Sequence, residues 1–283
     1  MHFPLPSLKD LEKDAIKFLI GAAAGWLLKV ARDRWRTRHA RAFWRPFISD
    51  DMLLVVGRFP QFRDFERSGL LGVGDAIALT ELQHYLAQIG AKNPQVVYAD
   101  RLDGDALKHT IITFGGPDAN AVTRDAVKRI NSKLRFGNPE VNEIAIRDTT
   151  SEPPRFYFPP PLDADGTGTD YGLVLRAPNP NNLEKEIMII AGSYGHGTWA
   201  ATRYLISPTF LALRESKARE SFGCGTWAAT RYLISRTFLA LRKSKARESL
   251  ECLVETDVVR DTPQAIRPIV VRSMPRDVAT PAI

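Results

Sequence analysis

A glycine-rich turn that joins a buried-strand pattern to a helix pattern constrains the fold of this chain more than any other stretch. Residues 187–191 are an apolar, β-branched run of strand length, and residues 198–205 have the alanine-rich pattern of a helix that packs on a sheet. Gly192, Gly195 and Gly197 lie between them. Because strands that pass directly into helices are the building units of α/β folds, we expect a sheet with helices on its faces.

A second unit of the same kind comes earlier in the chain. Residues 110–114 have a strand pattern, which runs into Gly115 and Gly116 and then into a helix pattern from about residue 121 to residue 133. Asp118 and Asn120 are both placed to cap that helix. Parallel strands share one edge of a sheet at their carboxyl ends, where open α/β sheets bind ligands, so we expect the two turns to meet at a site.

The predicted site is suited to an anion. Backbone N–H groups at a helix start attract anions, and glycine lets the backbone approach a ligand closely. The glycine spacing matches neither the dinucleotide nor the Walker fingerprint, so a purely structural turn is the alternative. If a ligand binds, a bulky residue at Gly195 or Gly116 should weaken binding without unfolding the sheet. The predicted ligand-binding residues are Gly115, Gly116, Asn120, Gly192, Gly195, His196, Gly197 and Thr198.

The histidines and cysteines predict neither a metal site nor a disulfide framework. His196 could donate a hydrogen bond to a phosphate, although a residue in a glycine turn is more often simply solvated. Cys224 and Cys252 are the only cysteines, and no Cys/His cluster has the spacing of metal ligands. The sequence therefore names no cofactor.

Further patterns complete an α/β domain. A helix pattern covers residues 75–89, and strand patterns cover residues 52–57, 96–99, 143–146, 171–176 and 253–259. The Pro-Asn-Pro run at residues 178–180 predicts a turn that returns the chain into the next strand. We predict a Rossmann-like, mostly parallel sheet flanked by helices over residues 49–262, followed by a C-terminal tail over residues 263–283.

The N-terminal segment, residues 1–48, predicts a membrane anchor. Residues 18–28 are an uncharged run of 11 residues, which is shorter than the span of about 20 residues that a membrane helix needs. Residues 29–45 then carry seven Lys or Arg residues and one Asp, which suits an anionic membrane surface. We predict a helix over residues 15–31 that holds the body on the cytoplasmic side of the cell membrane. A packed or oligomerising helix is the alternative.

The net charge of +7 does not by itself indicate a nucleic-acid partner. Much of the excess lies in the basic segment over residues 29–45, and the remaining chain is nearly balanced. We therefore expect no nucleic acid as a partner.

A tandem repeat interrupts the α/β pattern. Residues 193–220 and 221–248 are the same 28 residues with four differences. Only the first copy follows a strand pattern, and solenoid folds need three or more repeats. We therefore predict that the second copy, residues 221–248, is a duplicated helical insert outside the sheet and that its excision is tolerated.

An ordered set of short motifs over residues 52–259 resembles a Rossmann-like domain of archaeal S-layer-type proteins and of uncharacterised membrane-anchored bacterial proteins. The motifs are Gly-Gly-Pro at 115–117 with Asn120, Asp-Tyr-Gly at 170–172, Pro-Asn-Pro at 178–180, Ala-Gly at 191–192, Gly-Thr at 197–198 and Ala-Ala at 200–201. The resemblance implies a fold and a membrane tether, but it carries no activity.

Three classes of function fit these observations. The first is a membrane-tethered cytoplasmic module that binds a nucleotide or another phosphorylated small molecule and senses rather than catalyses. The second is a nucleotide-processing enzyme that uses a carboxylate, with Asp75, Glu81 and Asp118 as candidates. The third is a structural surface or assembly protein whose glycines only shape turns. The oligomeric state is open in all three.

Overall fold

The computed structural model describes residues 21–23, 25–28, 40–48, 52–59, 62, 64, 66–92, 94–138, 142–211 and 249–276. The chain divides into two compact units, Met1–Ala42 and Phe43–Ile283. In the first unit, residues 21–23, 25–28 and 40–42 are helical. No helix among the described residues has the length and apolar character to cross a membrane. The rest of the helix predicted over residues 15–31, and the second repeat copy, lie outside the described residues.

The second unit contains ten strands and three longer helices among its described residues. The strands are β1 (Met52–Val56), β2 (Gln95–Tyr98), β3 (Thr110–Phe114), β4 (Leu134–Asn138), β5 (Asn142–Asp148), β6 (Arg155–Tyr157), β7 (Gly168–Asn179), β8 (Asn182–Gly192), β9 (Leu250–Val259) and β10 (Thr262–Ser273). The helices are α1 (Val73–Gln88), α2 (Ala121–Arg129) and α3 (Gly195–Ile206). Short 3-10 turns cover Arg45–Ile48, Ala99–Arg101 and Ala106–Lys108.

The main sheet has seven strands in the order β10-β9-β7-β8-β3-β1-β2. Strands β2, β1, β3 and β8 pair in parallel, whereas β7, β9 and β10 add three antiparallel pairings beyond β8. Five of the seven strands therefore run in one direction, and the predicted mixed α/β fold with a mostly parallel sheet is confirmed. The turn predicted at residues 178–180 lies slightly later, at residues 180–181, where it connects β7 to β8 as an antiparallel hairpin, and residues 178 and 179 belong to β7.

The predicted tail begins too early. Strand β10 covers Thr262–Ser273 and pairs with β9, so most of residues 263–283 that the structure describes belong to the sheet. The prolines of this stretch indicate a loop in sequence, but β10 is an edge strand, where a residue without an N–H leaves no ladder bond unmade. The β9–β10 connection is a two-residue turn in which Arg260 and Asp261 both have positive φ, as a type I′ hairpin turn requires.

Helices and a second sheet cover the two faces of the main sheet. Helix α3 packs on β7, β8, β9 and β10, and α1 packs against α3 on the same side. A second, three-stranded sheet in the order β4-β5-β6 shares a hydrophobic core with α2 on the other face. That core includes Val55, Ile111, Ile146, Leu173 and Ile189. The arrangement is a three-layer α/β domain, with its site-bearing edge at the carboxyl ends of the parallel strands.

A buried ion pair fastens the segment before β1 to the main sheet. The fully buried Arg176 of β7 donates from Nε to Glu186 Oε2 of β8 at 2.7 Å and from Nη1 to the carbonyl oxygen of Phe43 at 2.9 Å. Its guanidinium carbon also lies 4.7 Å from the centroid of the Phe43 ring. Both hydrogen bonds lie within the core, where an unpaired charge is costly.

A second buried carboxylate holds the three-stranded sheet in place. Glu251 of β9 accepts hydrogen bonds from the N–H groups of Lys133 and Leu134 and from Arg272 of β10. Arg272 also donates to Asp148 Oδ1 of β5 at 2.9 Å. Burial alone would raise the pKa of Asp148, but hydrogen bonds from Arg272 and Thr150 outweigh it and lower that pKa. The β9–β10 edge therefore anchors one end of the smaller sheet, where Leu134 of β4 pairs with Asp148 of β5.

Candidate functional site

The two glycine turns lie side by side, as predicted. Strands β3 and β8 are parallel neighbours, and the N–H of Gly115 donates to the carbonyl oxygen of Ile190 at 3.1 Å. A Cβ atom built on Gly116 would lie 3.6 Å from the carbonyl oxygen of Gly192. The carboxyl ends of these strands thus bring the predicted residues of both turns to one edge of the sheet.

Asn120 belongs to the fold rather than to a ligand site. Its Oδ1 accepts from the N–H groups of Val122 and Thr123 at the start of α2, and its Nδ2 donates to the carbonyl oxygens of Val55 and Phe114. The side chain is fully buried, and these four bonds use its whole hydrogen-bonding capacity. Its predicted role as a helix cap is confirmed, and the same bonds fill the crevice between the ends of β1 and β3.

A carboxylate of the chain itself occupies the start of α3. Asp170 of β7 accepts hydrogen bonds from the N–H of Gly197 at 2.6 Å, of Tyr194 at 3.3 Å and of Tyr171 at 2.7 Å. Burial raises the pKa of Asp170 to about 6, although these hydrogen bonds lower it, and the charge of Asp75 raises it further. The anion that sequence reasoning expected at this helix N-terminus is therefore Asp170.

The glycines around α3 mainly allow backbone segments to touch. A Cβ atom on Gly192 would overlap the backbone of Tyr194 and Thr198, and one on Gly197 would overlap the carbonyl of Tyr171. A Cβ atom on Gly195 would lie 3.3 Å from the Cα atom of Gly74, in the first turn of α1. A bulky residue at Gly195 would press on the backbone of Gly74, so the packing of α1 against α3 argues against the expectation that such a residue spares the fold.

A buried carboxyl group lies among these turns. Asp75, the third residue of α1, is 6% exposed, and its Oδ1 has no hydrogen-bond partner among the described residues. Burial raises the pKa of Asp75 to about 6, a hydrogen bond from Thr198 lowers it, and the charge of Asp118 raises it again. The predicted site residue Thr198 is 1% exposed and lies beside Asp75.

One cavity of about 260 Å³ opens at this edge of the sheet. Its walls come from the turn after β3, the first turn of α2, the end of β8 and the inner face of the three-stranded sheet. The lining residues are Pro117, Asp118, Arg124, Phe136, Gly137, Ile144, Gly192 and Ser193. A site of this kind at the carboxyl ends of parallel strands is where open α/β folds bind small molecules.

Two hydrogen-bond donors in the cavity, Ser193 and Arg124, lack a strong partner among the described residues. Ser193 is 6% exposed, and its Oγ makes no hydrogen bond to any described residue. Arg124 is exposed and donates one hydrogen bond, from Nη1 to the carbonyl oxygen of Pro117 at 3.1 Å. A buried hydroxyl without a partner is costly unless a ligand or water satisfies it, so Ser193 marks the polar end of the cavity.

The cavity includes only part of the predicted site. Gly192 lines it and Gly116 borders it. Gly115 instead faces the carboxylate of Asp75, and Gly197 lies against the backbone of Tyr171. Nε2 of His196 lies 3.9 Å from Oδ1 of Asp261 in the β9–β10 turn, and His196 does not line the cavity.

Apart from Asp118, the side chains that line the cavity were not predicted from the sequence. Arg124 and Ser193 were within reach of sequence reasoning, because they lie one turn into the helix and one residue beyond the glycine of the two predicted units. Phe136 and Ile144 carried no local signal, since only the packing of the smaller sheet brings them there.

Two of the three carboxylates considered for catalysis, Glu81 and Asp75, do not line the cavity. Glu81 accepts from Arg203 at 2.9 Å and from the indole N–H of Trp199 at 3.0 Å, which gives it a structural role between α1 and α3. Asp75 is buried as described above, and only Asp118 reaches the cavity. Among the described residues, no group of three His, Cys, Asp or Glu side chains is arranged to hold a metal ion.

No protein-family model matches the chain, and no curated protein sequence matches it. The resemblance to the Rossmann-like domain of S-layer-type proteins therefore stays an expectation from short motifs. The geometry of the cavity is therefore the basis for a proposed function.

Proposed function

We propose that this chain binds a nucleotide or another phosphorylated small molecule in the cavity between the β3 and β8 turns, and that it senses this ligand rather than transforming it. The observation that carries the proposal is a cavity at the carboxyl ends of parallel strands that contains a guanidinium group, at Arg124, and a buried hydroxyl without a partner, at Ser193. Both groups are hydrogen-bond donors of the kind that bind phosphate oxygens.

Arg124 is the phosphate ligand in this proposal, and the helix N-termini are not. Asn120 satisfies the first N–H groups of α2, and Asp170 satisfies those of α3. The carboxylates of Asp75 and Asp170 would also repel an anion at the turns themselves. A phosphate therefore binds on the Arg124 side of the cavity, where a guanidinium can form paired hydrogen bonds with two phosphate oxygens.

A second candidate is a nucleotide-processing enzyme. The specific observation in its favour is that burial raises the pKa of Asp75 to about 6, beside the cavity-lining Asp118. Two carboxyl groups in different environments are the usual basis of acid and base roles in one site. Asp75 does not line the cavity, however, so sensing is the function that the geometry supports better.

The proposal also keeps the protein at the cytoplasmic face of a membrane. The support is the apolar run at residues 18–28 and the basic segment over residues 29–45. Deletion of residues 1–39, which stops before the buried side chains of Ala40, Phe43 and Trp44, should release the protein into the soluble fraction. Full-length protein that is already soluble in both low and high salt would remove the tether from the proposal.

Binding is tested with purified protein and a panel of nucleoside phosphates and sugar phosphates, using thermal shift, calorimetry and product analysis. Arg124→Ala should weaken binding of a phosphorylated ligand by about 10- to 100-fold, because a charged hydrogen bond contributes about 1.5–3 kcal/mol. Lys128→Ala is the matched control, since Lys128 is an exposed cation of the same helix outside the cavity. Product formation would favour the enzyme, and a panel without any binding would reject both candidates.

A further inference from the structure

The cavity presents an exposed guanidinium, at Arg124, and an exposed carboxylate, at Asp118. We infer that the ligand contains a ribose phosphate, with its phosphate on Arg124 and two neighbouring hydroxyl groups on the carboxylate of Asp118. This inference rests on the proposed function and adds a role for Asp118 that phosphate binding alone does not require. It makes the site specific for ribonucleotides and sugar phosphates over their deoxy counterparts.

Asp118 and Arg124 line one cavity without pairing with each other. Among the described residues, no hydrogen bond or ion pair ends on the carboxylate of Asp118, and Arg124 has its single bond to the Pro117 carbonyl. A guanidinium donates hydrogen bonds and a carboxylate accepts them. When the two share a small cavity without pairing, they suit a ligand that has acceptors at one end and donors at the other. Phosphate oxygens only accept hydrogen bonds, so the donors that Asp118 needs come from another part of the ligand.

The turn geometry aims Asp118 at the site. A Cβ atom on Gly116 would lie 2.7 Å from Oδ1 of Asp118, which shows that this carboxylate folds back over the glycine turn. The turn therefore presents an acceptor at the cavity wall next to Gly192. An acidic side chain at the carboxyl end of a strand is the group with which Rossmann-type sites hold ribose hydroxyls.

The buried hydroxyl of Ser193 favours neutral donors over an ammonium group. Ser193 is 6% exposed, so a ligand group that reaches its Oγ has to leave water. Removing a hydroxyl from water costs a few kcal/mol, whereas an ammonium costs far more unless a charge pairs with it at that point. A zwitterionic amino acid would match Arg124 and Asp118 but not Ser193, and a sugar hydroxyl matches both Asp118 and Ser193.

The size and the apolar wall of the cavity fit a sugar phosphate. A volume of about 260 Å³ is below the range of about 300–1,000 Å³ that is usual for drug-sized ligands. Phe136, Ile144 and Pro117 provide an apolar side against which a sugar or base ring can lie. A ribose phosphate fills such a space with one ring and one anionic group.

The test compares AMP, 2′-deoxy-AMP and ribose 5-phosphate by calorimetry on the full chain. Wild-type protein should bind AMP at least about tenfold more tightly than 2′-deoxy-AMP, because one hydrogen bond to a charged carboxylate is lost. Asp118→Asn should reduce that preference to less than about twofold while keeping phosphate-dependent binding. Asp125→Asn is the matched control, since Asp125 is exposed on α2 and does not line the cavity.

The outcomes separate the inference from the function on which it rests. Equal affinity for AMP and 2′-deoxy-AMP would overturn the ribose inference and leave phosphate binding intact, as would a preference that survives Asp118→Asn. Binding of a free amino acid such as glutamate in place of the phosphates would overturn the inference as well. Loss of any response to all three phosphorylated probes would overturn both the inference and the proposed function.

Discussion

Replacing the buried carboxyl of Asp75 with an amide should make the protein more stable at neutral pH. The pKa of Asp75 is about 6 in the folded protein, whereas its ordinary value is 3.8. A pKa that is higher in the folded protein gives a contribution to stability that is complete below about pH 4 and is lost as the pH rises through about 6. At neutral pH the folded protein therefore carries the full cost of an ionised, buried Asp75.

The size of this cost follows from the shift. About two pKa units correspond to about 3 kcal/mol at 1.36 kcal/mol per unit. The N-terminus of α1 stabilises the charge by about 0.3–1 kcal/mol, so the net cost of ionisation is about 2 kcal/mol. Asp75→Asn keeps an oxygen that can accept the hydrogen bond from Thr198, and it removes the ionisation.

The assay is urea unfolding of the wild-type protein, Asp75→Asn and Asp125→Asn at about pH 7.5 and about pH 5. We expect Asp75→Asn to exceed the wild type in free energy of unfolding by about 2 kcal/mol at the higher pH, and by about half as much at the lower pH. The control variant, Asp125→Asn, should have about the same free energy of unfolding as the wild type at both pH values. An Asp75→Asn protein that is less stable than the wild type, or that keeps the same pH dependence, would refute the reasoning.

Three further predictions concern the fold. Arg176→Met should lower the free energy of unfolding by about 3–5 kcal/mol, because the buried Glu186 loses its hydrogen bond from Arg176 and is left with the longer ion pair to Arg276 at 3.9 Å. Glu186→Leu in the same protein should restore most of the loss, and equal losses in the single and double variants would contradict this. Gly116→Ala should keep the melting temperature within a few degrees, because only the mobile end of a carboxylate side chain is in the way, while Gly195→Val should lower it clearly; the reverse order would be inconsistent with the packing described. Excision of residues 221–248 should leave a folded protein by circular dichroism, and an unfolded product would place the second repeat copy in the core.

Much of the fold could be predicted from local sequence patterns. The two units of strand, glycine turn and helix, their meeting at one sheet edge, the helix cap at Asn120 and the β7–β8 turn all follow from residues close together in the chain. Each depends on an intrinsic preference, either of apolar runs for strands or of Asn for helix starts. Tertiary packing did not override these preferences here.

The missed features depend on contacts between distant parts of the chain. Asp170 reaches the start of α3 because β7 pairs with β8 in a register that sets Gly172 opposite Gly192, and that register is not visible in the sequence. The cavity wall at Phe136 and Ile144 depends on where Glu251 anchors the smaller sheet. The predicted C-terminal tail was wrong at β10 for a simpler reason. Proline is unfavourable inside a sheet, but it is tolerated in an edge strand.

The cavity is lined by residues from both sheets, so a ligand that fills it would contact both sheets at once. Pro117, Asp118 and Ser193 belong to the seven-stranded sheet and its turns, and Phe136 and Ile144 belong to the three-stranded one. A molecule that contacts both walls adds its binding free energy to the clamp that Glu251 makes on the smaller sheet. Occupancy of the cavity should therefore raise the free energy that is needed to separate the smaller sheet from the larger one.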